Sequence, residues 1–434
     1  MQTLKVSDNR RYLVTEDNQP FFWLGDTAWE LFHRLSREEA HDYLENRSQK
    51  GFSVIQAVIL AEVDGLHTPN PYGQIPLFND DPTTPNEAYF QHVDAILQIA
   101  EEQGLYIGLL PTWADKIRPA WAANSKVIFT HENAYIYGRY LGERYRNATN
   151  IIWVLGGDRS SDGLEEFWAQ MAAGLKEGLG HPSLMTFHPM GGYSSSAWLQ
   201  QADWLDFHML QSGHNNHDNP TWEMIAHDYA LLPVRPTFDG EANYEDHPVN
   251  WRPELGYFTD YDVRKQTYRS IFAGGFGITY GHQSIWQMYQ EKREPVAAPL
   301  YHWRAALDRP GAFQMLHVRN LLLSRPFLTR IPDQKLLISE HAVPAKYVVA
   351  TRDSEGSFAF VYLPVANQKV HLDLSSLSSS RLKIWWYNPR TGEPMLYGEI
   401  ERSSSFSIRS PDNGPDWVLV IDDGERNSPP PGQY

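Results

Sequence analysis

Two periods of hydrophobic and polar positions alternate along the first three quarters of the chain. Short, nearly continuous apolar runs at 21–25, 53–60, 106–110, 151–158, 183–188, 204–211, 236–241 and 277–286 are rich in Ile, Val and aromatic residues. They read as strands buried on both faces. Amphipathic stretches separate them. Ser36 and Glu39 form a capping box ahead of a helix that closes at Gly51. Thr84 and Glu87, with Pro85 between them, open another, whose stripe of Tyr89, Phe90, Val93, Ile96, Leu97 and Ala100 runs to Gly104. Further helices are predicted at 131–147, through Leu164, Phe167, Trp168, Met171 and Leu175, and at 219–232, 260–273 and 301–322. Eight such alternations predict the α/β class and a (β/α)8 TIM barrel over 1–324, with residues 1–19 as a polar strand or hairpin leading in.

Beyond Leu323 the helical period fades. Runs at 347–350, 358–363, 383–387 and 417–421 stand between clusters of Ser, Gly, Pro and Asp, predicting a small antiparallel β-sandwich domain over 325–424. It offers no paired carboxyls at strand ends and is expected to support the barrel, with Trp385, Trp386 and Trp417 as apolar contact surface. Residues 425–434 are expected to be a disordered tail.

Composition narrows the function. Of 434 residues 42% are apolar, and 15 Trp with 23 Tyr exceed ordinary core needs, as carbohydrate sites often require. A net charge of −16 argues against nucleic acid or an anionic membrane surface as partner. The absence of cysteine excludes disulfides, thiol nucleophiles and Cys metal sites. No run reaches the roughly 18 apolar residues of a membrane span, and the N-terminus lacks the apolar core of a leader. The expectation is cytoplasmic as encoded, or secreted or periplasmic if a leader has been removed. Oligomeric state is not legible.

In barrels of this kind chemistry collects where the strands end. The run at 151–158 finishes in Gly156-Gly157-Asp158, and the run at 236–241 in Gly240-Glu241. Two carboxyls so displayed fit a glycosidase, one protonated to release the leaving oxygen and one ionised to attack the anomeric carbon. Asp239 and Glu245 are neighbouring competitors, Asp239 as a substrate contact or a support for Glu241. Asp26, Trp29, Glu62, Trp113, His188, His208, Gln211, Tyr244, His282 and Trp286 also follow or end strands and are expected on the same rim as substrate contacts. The histidines also suggest a metal. Because the first strand ends in Gly25-Asp26-Thr27 rather than paired histidines, neither a metal nor another cofactor is expected. The long stretches 64–85 and 113–130 are expected to wall a pocket for one terminal sugar.

The segments Phe22-Trp-Leu-Gly-Asp-Thr-Ala-Trp29 and Trp153-Val-Leu-Gly-Gly-Asp158, the Gly240-Glu241 strand end and the all-β tail resemble glycoside hydrolase family 140. These are apiosidase-like barrels with a C-terminal collagen-binding-type domain. The resemblance covers nearly the whole chain. It implies a retaining, exo-acting enzyme that releases terminal β-linked apiose from plant glycans or glycosides, with Asp158 as acid/base and Glu241 as nucleophile. The wider clan of retaining barrels has Asn-Glu after strand four, where this chain has Gly-Asp, so the sugar preference stays open. A glycosidase for another furanose or a pectin-derived glycan, and a carbohydrate-binding barrel without activity, are the alternatives.

Overall fold

The computed structural model describes residues 1–119, 126–339 and 343–434. Eight parallel strands form the barrel: Trp23–Thr27, Val54–Leu60, Tyr106–Thr112, Ile151–Gly156, Met185–His188, His208–Gln211, Thr237–Asp239 and Gly277–Tyr280. Hydrogen bonding runs unbroken from the fifth strand back through the first and on to the sixth. Between the fifth and sixth the ladder is replaced by Asp206 N–H to Met185 O at 2.9 Å and Thr186 Oγ1 to Phe207 O at 2.7 Å. A short segment, Tyr193–Ser194, adds antiparallel to the sixth strand. The fifth crossover carries only the one-turn helix Ser196–Leu199. The lead-in is a three-stranded antiparallel sheet of Leu4–Val6, Leu13–Thr15 and Pro20–Phe21.

Several expected boundaries shift. The apolar run at 277–286 divides into a strand and the helical turn Gln283–Trp286, because the His282 side chain caps that turn by accepting from Ser284 N–H. At the second helix the cap is Asn86 rather than Thr84, whose hydroxyl is spent on Phe78 O. Helices His131–Arg144 and Glu165–Leu179 approach through Gly138, Gly142, Gly174 and Gly178. A Cβ at Gly174 would lie 2.1 Å from Tyr135 O, so no larger residue fits there. No helix among the described residues is long and apolar enough to cross a membrane.

The C-terminal domain pairs a six-stranded antiparallel sheet with the two-stranded sheet Lys369–Leu372 and Phe406–Arg409. These two strands and the edge strand Pro394–Glu401 lay outside the expected set, since their burial is partial or one-sided. The large sheet is buried on both faces. Phe358, Phe360, Tyr362, Trp385, Tyr387, Val418 and Val420 join the barrel core, while alternate residues such as Ala359, Val361, Ile384, Trp386 and Leu419 form a second core with Val370 and Ile408. Trp385 therefore faces the barrel, whereas Trp386 and Trp417 do not. The tail, expected to be disordered, instead folds back: Pro429 O accepts from Arg325 Nη2 and Gly432 N–H donates to Ser324 Oγ.

Candidate active site

Successive side chains of a strand point to opposite faces, and this period of two sorts the expected site residues. Trp23 stacks inside the barrel on Phe207 and Phe238, so its odd-numbered neighbours Gly25 and Thr27 face inward and Asp26 faces the helices. There Asp26 is buried, accepting from Tyr43 OH at 2.7 Å and Arg47 Nε at 2.5 Å. Phe207, Met209 and Gln211 likewise face inward, and His208 outward. His208 also opens its strand rather than ending it; its Nδ1 lies 3.1 Å from Ser195 Oγ, and burial pushes its pKa down to about 4. The structure thus takes Asp26 and His208 away from the rim.

Asp239 turns outward as well. It accepts from Thr221 Oγ1 at 3.0 Å and from the backbone N–H of Ser212 and Glu241, at 3.2 and 3.3 Å. It therefore anchors the backbone of two neighbouring loops. Glu245 accepts from Tyr280 OH and from Gly311 N–H at the start of helix Pro310–Leu323. His282 donates from Nε2 to Asp246 at 3.0 Å, its Nδ1 being occupied by the cap. Trp286 is buried with its indole N–H on Gln283 Oε1.

Asp158, His188 and Glu241 come together. The fourth strand ends at Gly156, and Gly156, Gly157 and Asp158 all adopt positive φ, at 95°, 122° and 52°. The glycines are needed for close approach by the protein itself: a Cβ at Gly157 would meet the Trp113 indole at 2.6 Å, and one at Gly156 would meet His188 O at 2.3 Å. The seventh strand stops at Asp239, and the chain turns at Gly240 against Met209 to present Glu241. His188 lies between the carboxyls, with Nε2 2.9 Å from Glu241 Oε2 and Nδ1 4.0 Å from Asp158 Oδ1. Trp29 and Trp113 pack on the His188 ring at 5.1 and 5.4 Å and on each other at 5.0 Å.

A second imidazole, from His214, holds the other Glu241 oxygen at 2.9 Å. Its ring lies between His247 at 4.3 Å and Tyr244 at 4.5 Å. Sequence reasoning stopped at Gln211, three residues short; the turn at Gly213 was the available signal. It also passed over Arg159, beside Asp158, whose Nη2 is 3.6 Å from Glu62 Oε1.

These contacts set the two carboxyls apart. Burial would raise Glu241, but hydrogen bonds from His188 and His214 outweigh it and hold Glu241 well below the usual carboxylate range. His188 shows the reciprocal effect: burial favours the neutral ring, yet Glu241 and then Asp158 draw it toward the imidazolium. Asp158 moves the other way, to about 6, because of desolvation first and the Glu241 charge second. Burial and the charges of Asp158 and Asp115 push Glu62 well above its usual range. Asp158, Arg159, Gln211, His214 and Trp251 line a cavity of about 530 Å3, with Val296 and Ala297 on one wall. The loop at 64–85 contributes Asp64, Thr68, Pro69 and Pro71 to an adjoining cavity that shares Val296 and Ala297 with this one. Residues 120–125 of the other loop lie outside the described residues. Asp158 Oδ1, Arg159 Nη2 and Gln211 Oε1 have no protein hydrogen-bond partner.

Asp158, His188 and Glu241 each offer a ligand atom within 4.8 Å of the others, a donor set that a cation could use. The His188 Nε2 and both Glu241 oxygens are already engaged in the imidazole–carboxylate hydrogen bonds, which a metal would have to displace.

Two carboxyls at the mouth of a (β/α)8 barrel, one pushed above and one held below the usual carboxylate range, match the arrangement of a glycoside hydrolase. The profile described as "Apiosidase-like, catalytic domain" matches residues 7–329, and "Putative collagen-binding domain of a collagenase" matches 331–422. The chain belongs to the apiosidase-like family. It is similar to a solved glycoside hydrolase at 32% identity and TM-score 0.91, covering 99% of this chain and 98% of that one. It is also similar to a family 5 glycoside hydrolase from Bacteroides vulgatus ATCC 8482 at 31% identity and TM-score 0.90, covering 98% of this chain and 95% of that one. No curated protein matches.

Proposed function

We propose that the protein is a retaining, exo-acting β-apiosidase in which Glu241 is the nucleophile and Asp158 the general acid/base. The observation that carries this reading is the approach of the two carboxyls around His188, with ligand atoms within 4.8 Å of one another, beside their opposite shifts, Asp158 up and Glu241 down. A close approach of this kind supports the pair of a retaining enzyme, whose carboxyl groups stand about 5 to 5.5 Å apart. Glu241 attacks the anomeric carbon as the bond to the leaving oxygen breaks, and that oxygen takes the Asp158 proton. Asp158, now ionised, takes a proton from water as the water oxygen bonds to the anomeric carbon and Glu241 departs. The two imidazoles that keep Glu241 weakly basic also make it a good leaving group in this second step. The cavity and its polar atoms without protein hydrogen-bond partners support binding of a sugar with several hydroxyls.

The test is hydrolysis of aryl β-apioside, arabinofuranoside, xyloside and galactoside, with the first-formed anomer read by proton NMR. Apioside turnover with retained configuration is expected, and it should survive exhaustive chelation. Inversion, preference for another glycoside, or activity lost to chelator and restored by zinc would overturn the respective part of the reading.

A further inference from the structure

Trp251 is exposed to 46%, although tryptophan is among the most costly side chains to leave in water. Its backbone is unusual too. Asn250 and Trp251 are successive non-glycine residues at positive φ, 51° and 61°, a conformation that bulky side chains adopt only when their surroundings impose it. Here the turn is held by Asn250 N–H on His214 O at 2.8 Å, Trp251 N–H on Pro248 O at 3.0 Å, and Val249 N–H on Gly256 O at 3.0 Å. The result sets the indole perpendicular to His247, with ring centroids 4.5 Å apart, and 5.9 Å from His214. Its free surface borders the cavity.

Val296 and Ala297 line the same cavity. Their backbone is clamped from behind by two buried amides: Gln283 Nε2 donates to both carbonyls, at 2.6 and 2.9 Å, and Gln287 exchanges hydrogen bonds with Val296 at 3.0 and 2.9 Å. Both apolar banks are therefore rigid, and Met190 adds a third apolar contact. Exposure rises from the carboxyls outward. The Glu241 side chain is 5% exposed and the Asp158 side chain 27%, while Trp251 as a whole residue is 46% exposed. A glycoside with its anomeric carbon at Glu241 and its linking oxygen at Asp158 carries its leaving group outward into this cavity, which Asp158 lines.

We infer that Trp251, with Val296 and Ala297 in the same cavity lining, forms the leaving-group subsite, and that it takes a pyranose ring whose C–H face lies on the indole. This rests on the glycosidase reading above. The apolar indole surface suits the flat face of a sugar ring, while Asp158 and Arg159 in the same lining meet its polar edge.

The experiment compares two substrates with the same terminal sugar, a methyl glycoside and a disaccharide with a pyranose leaving group, on wild type, Trp251→Ala and Trp251→Phe. Trp251→Ala should lower kcat/KM for the disaccharide about tenfold more than for the methyl glycoside, mainly through KM, and Trp251→Phe should recover most of the difference. Equal losses on both substrates would assign Trp251 to propping His214 and overturn the subsite, as would no loss on either. If wild type hydrolyses neither, the glycosidase reading fails separately. Calorimetric binding of the disaccharide to Glu241→Ala protein then decides the subsite alone: affinity about tenfold weaker with Trp251→Ala supports it, and unchanged affinity overturns it.

Discussion

The barrel mouth and the junction with the β domain both bury charges, but they leave them in different states. At the junction, Arg264 and Asp416 are fully buried and doubly hydrogen-bonded at 3.0 and 2.9 Å. Asp260 and Gln314 take the remaining guanidinium nitrogen, and Tyr362 and Arg390 complete Asp416. Stacked rings flank the pair, Tyr268 on Tyr362 at 4.9 Å and Phe272 on Phe360 at 5.8 Å. At the mouth, Asp158 Oδ1 and Gln211 Oε1 have no protein hydrogen-bond partner, and Arg159 Nη2 has only a 3.6 Å ion pair with Glu62. Buried polar groups are costly unless bonded, so a closed network holds domains together and an open one is held for a ligand.

The largest effect expected from breaking the open network is at Glu241. Glu241→Ala should reduce turnover on the order of 10^4-fold or more for activated and natural glycosides alike, with far-UV circular dichroism unchanged. A mild effect would remove Glu241 from the covalent step.

Asp158→Ala should be selective. Natural glycosides, whose leaving oxygen needs a proton, should slow by roughly 10^2- to 10^4-fold, while glycosylation by a nitrophenyl glycoside is largely spared and azide accelerates its turnover. Identical responses of the two variants to leaving group and azide would dissolve the role assignment.

Breaking the closed network should change stability rather than chemistry. Asp416→Ala leaves buried Arg264 with Asp260 as its remaining counter-ion and should cost up to about 3 kcal/mol in chemical denaturation, with kcat of the remaining folded protein near wild type. A fall in kcat at full folding would mean that the junction reaches the site.

The smallest effect concerns pH. Asp158 must carry its proton for the first step, so kcat/KM should fall as pH rises through about 6, while the depressed Glu241 places the acidic limb far lower. The linkage to stability follows from the same shift. A folded pKa of about 6 against an ordinary 3.8 means that the contribution of Asp158 is fully present below the ordinary value and is lost as pH rises through about 6. Asp158→Asn should therefore raise Tm slightly at pH 7 to 8 and leave it nearly unchanged near pH 4. A lower Tm at neutral pH would contradict the shift.

The barrel itself was written in local pattern. Continuous Ile and Val runs, a capping box at Ser36 and a glycine stop at Gly51 each act over a few residues, so the alternation of strands and helices was legible. So were the two carboxyls, because Gly-Gly-Asp and Gly-Glu mark strand ends without reference to distant neighbours. What local pattern could not decide was which way each strand-end residue points. Asp26, His208 and Asp239 looked equivalent to His188 and Gln211, yet a period of two sends the first three toward the helices, and the phase is set only when Trp23, Phe207 and Phe238 meet inside the barrel. The same holds for His214 and Trp251. They reach the cavity through loops whose course depends on contacts with residues far along the chain, and no spacing in the sequence encodes that meeting.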